Sequence, residues 1–187
     1  PEGCAVAAYS QEQGRGQRGN SWESKAGENL TFSLLLRPTF LKVEEQFALS
    51  KAIALSICDW INSNGLTSKI KWPNDIYVGD KKVCGILIEN SFSGPTLDVS
   101  VVGIGLNLNQ SDFSKRLPNP TSMFLLTGND FKPEIVLREL VASIQMRYLQ
   151  LSNNRLRLTI DEDYVNNLYR FNEFHYFVSD EERYRAK

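Results

Sequence analysis

The sequence predicts an α+β domain with a mixed, largely antiparallel sheet and helices on one face. Three observations predict it. Short apolar segments bounded by Gly, Pro, Asn and Asp recur along the chain, two of them meeting across Gly79-Asp80-Lys81. A long run with apolar residues at helical spacing is inserted among them, and two more helical stretches follow.

Residues 4–9 (CAVAAY) are apolar and flanked by Glu2-Gly3 and a polar run, which reads as a buried strand. Residues 10–29 are rich in Gly, Gln, Ser, Arg and Glu, a long loop of the kind that is usually functional or disordered. Residues 30–36 (LTFSLLL), stopped by Arg37-Pro38, form a second strand. Over 43–62, Phe47, Leu49, Ile53, Ala54, Ile57, Trp60 and Ile61 recur at helical spacing, and Asn64-Gly65 supplies the stop. Residues 70–72 are strand-like, Pro73-Asn74-Asp75 breaks them, and 76–78 then pairs with 83–89 as a hairpin. A further strand over 97–107 carries Gly103 and Gly105. Residues 118–129 connect to an amphipathic helix over 133–151, and 161–168 begins another. Residues 174–178 start a final strand, with too little chain after it for a partner.

At 187 residues, the chain holds one domain and a small appendage. Its 21 Lys and Arg against 22 Asp and Glu leave a net charge of -1, which excludes nucleic-acid binding through a global positive field. Cys4, Cys58 and Cys84 have no CxxC spacing, and His175, the only histidine, has no cysteine near it. They read as buried small hydrophobes in a reducing compartment, without a metal site. No apolar run approaches the roughly 18 residues of a membrane helix, and no basic segment followed by an apolar stretch opens the chain. The expectation is a cytoplasmic protein with no membrane or nucleic-acid partner, cut at both ends from something longer.

Gly14-Arg15-Gly16-Gln17-Arg18-Gly19 is a literal G-x-G-x-x-G after a predicted strand. A dinucleotide fingerprint needs a helix at its third glycine, whereas 20–29 is polar loop, so the context excludes a Rossmann site. A protein-kinase reading fails for want of HRD and DFG elements. The remaining content is chemical. Glycines let the backbone approach an anion, and Arg15 and Arg18 offer guanidinium groups to phosphate or carboxylate oxygens. A solvated basic loop is the competing reading. In Lys71-Trp72-Pro73-Asn74-Asp75, the proline holds Trp72 extended and presents Lys71 at a strand end, either snorkelling from a sheet edge or aimed into a pocket.

In order and spacing, 14–22 (GRGQRGNSW), 71–75 (KWPND), 82–89 (KVCGILIE) and 103–107 (GIGLN) resemble the central domain of biotin-protein ligases. The resemblance spans 4–107, and the helices that follow are compatible with it. It implies a fold related to class II aminoacyl-tRNA synthetases and a two-step, C–N bond-forming ligase reaction. Biotin and ATP, with Mg²⁺ on the phosphates, would give biotinyl-5′-AMP and pyrophosphate. A lysine of a biotin carboxyl carrier domain would then take the biotinyl group and release AMP. A homodimer is an assembly it allows.

By position, the resemblance implies that Lys71 contacts the biotin carboxylate and then the adenylate, and that Arg15 and Arg18 hold phosphates or order the loop. Gln11, Gly16 and Gln17 would help to fix biotin, while Gly103 and Gly105 would let a strand backbone lie against it. A β-bulge is the other reading of those glycines. Trp22 would cover adenine as the loop closes, or else anchor the loop, and Asn107 would read the adenine edge. Lys82 would reach phosphate or stay solvated. Asp75 would orient Lys71 or hold metal, or else cap its own turn. With so little apolar surface, 10–29 is expected to be mobile without ligand and ordered over the adenylate.

Three departures accompany the resemblance. No Ser/Thr-Thr-Asn strand precedes Pro1, the expected C-terminal SH3-like barrel has only begun between 169 and 187, and Gln17 stands where many members carry arginine. The expected division is a catalytic domain over 1–168 and a truncated barrel over 169–187, with no winged helix ahead of it and no repressor role. A lipoate or octanoyl transferase would share the fold, but its RR and GGG elements are absent. A nucleic-acid-binding module using Arg15, Arg18 and Trp22 is the non-enzymatic alternative.

Overall fold

Leu30, Phe32, Leu34 and Leu36 are buried while Ser33 between them is exposed, so the strand that carries them has one core face and one open face. The computed structural model of the chain describes residues 1–179 and 182–187; the side chains of Arg18, Val178 and Ser179 lie outside the described set. In chain order the strands are β1 (Ala5–Ala8), β2 (Gly14–Arg15), β3 (Ser21–Trp22), β4 (Leu30–Leu36), β5 (Ser68–Lys71), β6 (Asp75–Val78), β7 (Lys81–Ser93), β8 (Thr96–Leu106), β9 (His175–Ser179) and β10 (Glu182–Ala186). Four helices accompany them: α1 (Gln46–Ser63), α2 (Met123–Thr127), α3 (Pro133–Ser152) and α4 (Arg157–Asn166).

Six strands form one sheet in the order β1-β4-β8-β7-β6-β5, with every neighbouring pair antiparallel. The helices cover one face. α1 contacts β5 and β6 as well as α3 and α4, and is buried nearly all round through Leu49, Ile53, Leu55, Ile57 and Ile61. Arg147 on α3 ties the helices together, its guanidinium lying 2.6 Å from both Asp59 on α1 and Asp163 on α4. Among the described residues no helix is long and apolar enough to cross a membrane.

The predicted α+β class and the main elements agree with this architecture, and four details differ. β1 is an edge strand paired only with β4 and none of its residues is buried; Val6 is 66% exposed. Cys4 beside it is likewise exposed, whereas Cys58 and Cys84 are buried. The connector contains α2, with Ser122 Oγ accepting from Leu125 N and Gly128 at φ +75° closing the last turn. The last predicted strand does find a partner: β9 pairs antiparallel with β10, since 182–186 suffices for a return strand. Residues 180 and 181 lie outside the described residues.

After α4 the chain turns back along the outer edge of β5. Ile70 N donates to Asn167 O at 2.7 Å, and Tyr169 N donates to Ile70 O at 2.8 Å. The expected boundary at residue 169 therefore falls inside a segment bonded to the main sheet.

Candidate functional site

Strand register sets the shape of the open face. Ala8, Thr31, Gly105, Gly85, Asp75 and Lys71 are successive cross-strand partners and form one row over all six strands. Directly opposed residues share a face, and strands lie about 4.8 Å apart, so the two central glycines leave a gap about two strands wide without side chains. A cavity of about 350 Å³ occupies this part of the sheet. In the adjacent row Ser33, Gly103 and Leu87 are partners, and a Cβ on Gly103 would come within 3.3 Å of Leu87 O. Neither glycine is a bulge. The register shifts fall between Ile76 and Tyr77 and between Asn90 and Phe92.

The polar loop forms a small hairpin over this hollow. β2 pairs with β3, Gly16 N donates to Asn20 O at 2.7 Å, and 17–19 makes a single 3₁₀ turn. Gly14 is required there, because a Cβ would meet the Trp22 backbone carbonyl carbon at 3.1 Å. No helix opens at Gly19, as the failed dinucleotide context demanded. From β3 the Trp22 indole reaches the glycine pair: a Cβ on Gly105 would lie 2.6 Å from Cζ2, and one on Gly85 3.1 Å from Cζ3. Among the described residues its Nε1 is buried without a hydrogen-bond partner, as is Gln11 Oε1.

Charged groups line the same cavity as the indole. Lys82 Nζ lies 5.5 Å from the ring centroid and 2.6 Å from Asp75 Oδ1. Arg15 Nη1 is 3.6 Å from Glu89 Oε1, and both side chains are more than half exposed, so this pair binds weakly and leaves the guanidinium available. Asn74 fixes the mouth of the cavity: its Nδ2 donates to Ile86 O at 2.7 Å and its carbonyl accepts from Ile86 N at 2.9 Å. A second cavity of about 330 Å³ shares Gln17, Trp72, Pro73, Asn74 and Leu87 with the first and extends to Phe47 and Ser50 of α1.

Among the residues singled out from sequence, Gln11, Arg15, Gly16, Gln17, Trp22, Lys82, Gly103 and Gly105 line the first cavity. Lys71 does not. It shares the row and the open face, but its Nζ donates to Tyr77 Oη at 3.3 Å, two strands from Gly85. Asn107 is not brought to the cavity either. It is 4% exposed, its Nδ2 donates to Thr121 O at 2.9 Å, and its Oδ1 is buried without a partner, because it lies just beyond β8 where the chain turns under α2. The Arg18 side chain lies outside the described residues. Asp75 pairs with Lys82 rather than Lys71. Thr31, Ser33 and Glu89 also line the cavity and were missed. Only the alternation along β4 and β7 pointed to them.

Residues 1–107 match the model of the biotin/lipoate A/B protein ligase family. The chain is 34% identical over 152 residues to the bifunctional ligase/repressor BirA of Bacillus subtilis, covering 79% of this chain and 46% of that protein. It is 42% identical over 106 residues to the biotin–[acetyl-CoA-carboxylase] ligase of Paracoccus denitrificans, covering 55% and 43% respectively. It thus spans less than half the length of these curated relatives. A biotin protein ligase from Aquifex aeolicus, solved in complex with biotin and ATP, superposes with a TM-score of 0.83 at 26% identity, over 100% of this chain and 77% of that one. The α+β fold is therefore that of the solved biotin protein ligases, and the chain belongs to the biotin/lipoate A/B protein ligase family.

Proposed function

We propose that this domain is a biotin-protein ligase. It joins the biotin carboxylate to the α-phosphate of ATP, releases pyrophosphate, and passes the biotinyl group to a lysine of a biotin carboxyl carrier domain. The observation that carries this reading is the cavity on the open face, lined by Gly85 and Gly105 with the Trp22 indole packed on them, and by Arg15 and the Lys82–Asp75 pair. A planar base and a charged phosphate chain need this combination of apolar floor, aromatic cover and cations. The Aquifex relative, solved with biotin and ATP, supports it.

The first step forms a bond from a biotin carboxylate oxygen to the α-phosphorus and breaks the phosphorus–oxygen bond to pyrophosphate. In the second, the acceptor amine attacks the biotinyl carbonyl, AMP leaves, and the amine nitrogen loses its proton. Neither step needs a nucleophile from the enzyme, so the protein acts by positioning and by offering positive charge to the phosphate. Arg15, Lys82 and Lys71 supply that charge, and Arg18 is a further cation in the sequence of the loop. Gln11, Gly16, Gln17, Gly103 and Gly105 form the biotin side, and Trp22 covers the base. Asn107 would contribute indirectly, through the hydrogen bond its Nδ2 donates to Thr121 O. Magnesium bound to the triphosphate would neutralise charge developing on the phosphate, and Asp75 and Glu89 are the cavity carboxylates that would hold it.

Residues 169–187 then begin a small C-terminal barrel of which β9 and β10 are the first hairpin, and the three free thiols fit the cytoplasm. The test is incubation of the chain with Mg-ATP and biotin, and separately with lipoate or octanoate. Pyrophosphate release and bound biotinyl-AMP with biotin alone is the expected result. Release with lipoate and not biotin would overturn it.

A further inference from the structure

Lys71 is the one proposed phosphate-binding side chain that the described geometry holds outside the cavity, and its environment is built. Its Nζ lies 3.3 Å from Tyr77 Oη and 5.0 Å from the Tyr77 ring centroid, so the amine meets both the hydroxyl and the ring of one side chain. Tyr77 is 5% exposed, so it cannot swing to follow a mobile lysine. Its ring packs on Tyr169 with centroids 5.2 Å apart.

Tyr169 is itself fixed at both ends. Its backbone N–H donates to Ile70 O at 2.8 Å, one residue before Lys71, and its hydroxyl donates to the Asp80 carboxylate in the β6–β7 turn. Arg170 lies 3.3 Å from the same carboxylate and 4.8 Å from the Tyr169 ring. Hydrogen bonds from Tyr169 and Arg170 hold the Asp80 carboxyl below its ordinary value. The aromatic pair is thus anchored to β5, β6 and the turn between β6 and β7.

We infer that Tyr77, backed by Tyr169, is the positioning residue for Lys71, holding its ammonium group at the end of the Gly105–Gly85–Asp75 row. This rests on the ligase reading above. A free lysine spreads over many rotamers; one N–H committed to Tyr77 leaves two for carboxylate and phosphate oxygens. The segment after α4 therefore acts on the site through Tyr169, although it touches no part of the cavity.

Two measurements on the full chain test this. The first is independent of activity: limiting acetylation by a water-soluble ester, with Lys71 modification followed by peptide mass spectrometry. Tyr77→Phe should raise the Lys71 rate about twofold to fivefold, and Tyr169→Phe should raise it less, with other lysines unchanged. The second is pyrophosphate release. Tyr77→Phe should lower kcat about threefold to tenfold with KM for biotin and ATP nearly constant, and Lys71→Met/Tyr77→Phe should be no slower than Lys71→Met. Independent, multiplying losses would overturn the inference, as would equal Lys71 labelling in all three proteins. A wild type that labels as expected but releases no pyrophosphate overturns the ligase reading instead.

Discussion

Trp22 occupies the space that a side chain on residue 105 would need: a Cβ there would lie 2.6 Å from the indole Cζ2 and 2.7 Å from Nε1. The indole is therefore matched to a glycine far along the chain, on β8, and the loop's position over the sheet depends on that match. Gly105→Ala must lift Trp22, while the core strand itself stays paired, because Ile104 and Leu106 on the other face keep their packing. The expected outcome is faster tryptic cleavage at Arg15 and Arg18, and ATP affinity weakened by about tenfold or more, about 1.4 kcal/mol. In the wild type, biotin with ATP should slow the same cleavage. Cleavage unaffected by either change would remove the idea of a closing loop.

Lys71 is exposed at the end of β5 and reaches the buried Tyr77 only through its terminal amine, so Lys71→Ala should leave thermal stability nearly unchanged. Its contacts to carboxylate and phosphate would be charge-assisted, about 1.5–3 kcal/mol each, so adenylation should slow by about tenfold to a hundredfold. Single-turnover pyrophosphate release measures this. A wild-type rate would leave Lys71 as a lysine packed on Tyr77 and nothing more.

Gln17 lies in the 3₁₀ turn of the loop and lines both cavities. Its amide donates neutral hydrogen bonds only, whereas a guanidinium adds a fixed charge and a planar fork for phosphate. Gln17→Arg should slow escape of biotinyl-AMP several-fold, about 1 kcal/mol, and leave the affinity for free biotin nearly unchanged, since biotin carries no phosphate. Stopped-flow release of preformed adenylate compares the two proteins.

The buried thiols give a stability signature at high pH. Burial pushes Cys58 up to about 12 from an ordinary value of 9.0, and raises Cys84 as well. Above pH 9 the unfolded chain loses these protons while the folded chain keeps them, so stability falls as pH rises from about 9 towards 12, by up to about 1.4 kcal/mol per pH unit for each thiol. Urea midpoints between pH 8 and 10 should fall less steeply in Cys58→Ala than in the wild type. At neutral pH, Ellman's reagent should titrate Cys4 alone until denaturant is added.

Much of this protein could be read along the chain. The apolar run 30–36, stopped by Arg37-Pro38, made β4, the spacing of Leu49, Ile53, Ile57 and Ile61 made α1, and Gly79-Asp80 closed the β6–β7 hairpin. The order of the Gly/Arg loop, the KWPND run and the two glycines was sufficient to indicate the family, because each is a local pattern whose chemistry needs only neighbours. The burial of 4–9 was misread for the same reason: an apolar composition does not say whether a strand lies at the centre of a sheet or at its edge.

By itself, then, the sequence determined the main strands and helices, the apolar spacing of α1, and which residues carry the diagnostic chemistry, since these follow from short-range periodicity and side-chain type. Only the tertiary structure decided that Lys71, Asp75, Gly85, Gly105 and Thr31 fall in one row, that Asp75 pairs with Lys82, and that Tyr169 stands behind Tyr77. Register and strand order relate residues far apart in the chain, and a one-residue slip would send every one of those side chains to the opposite face.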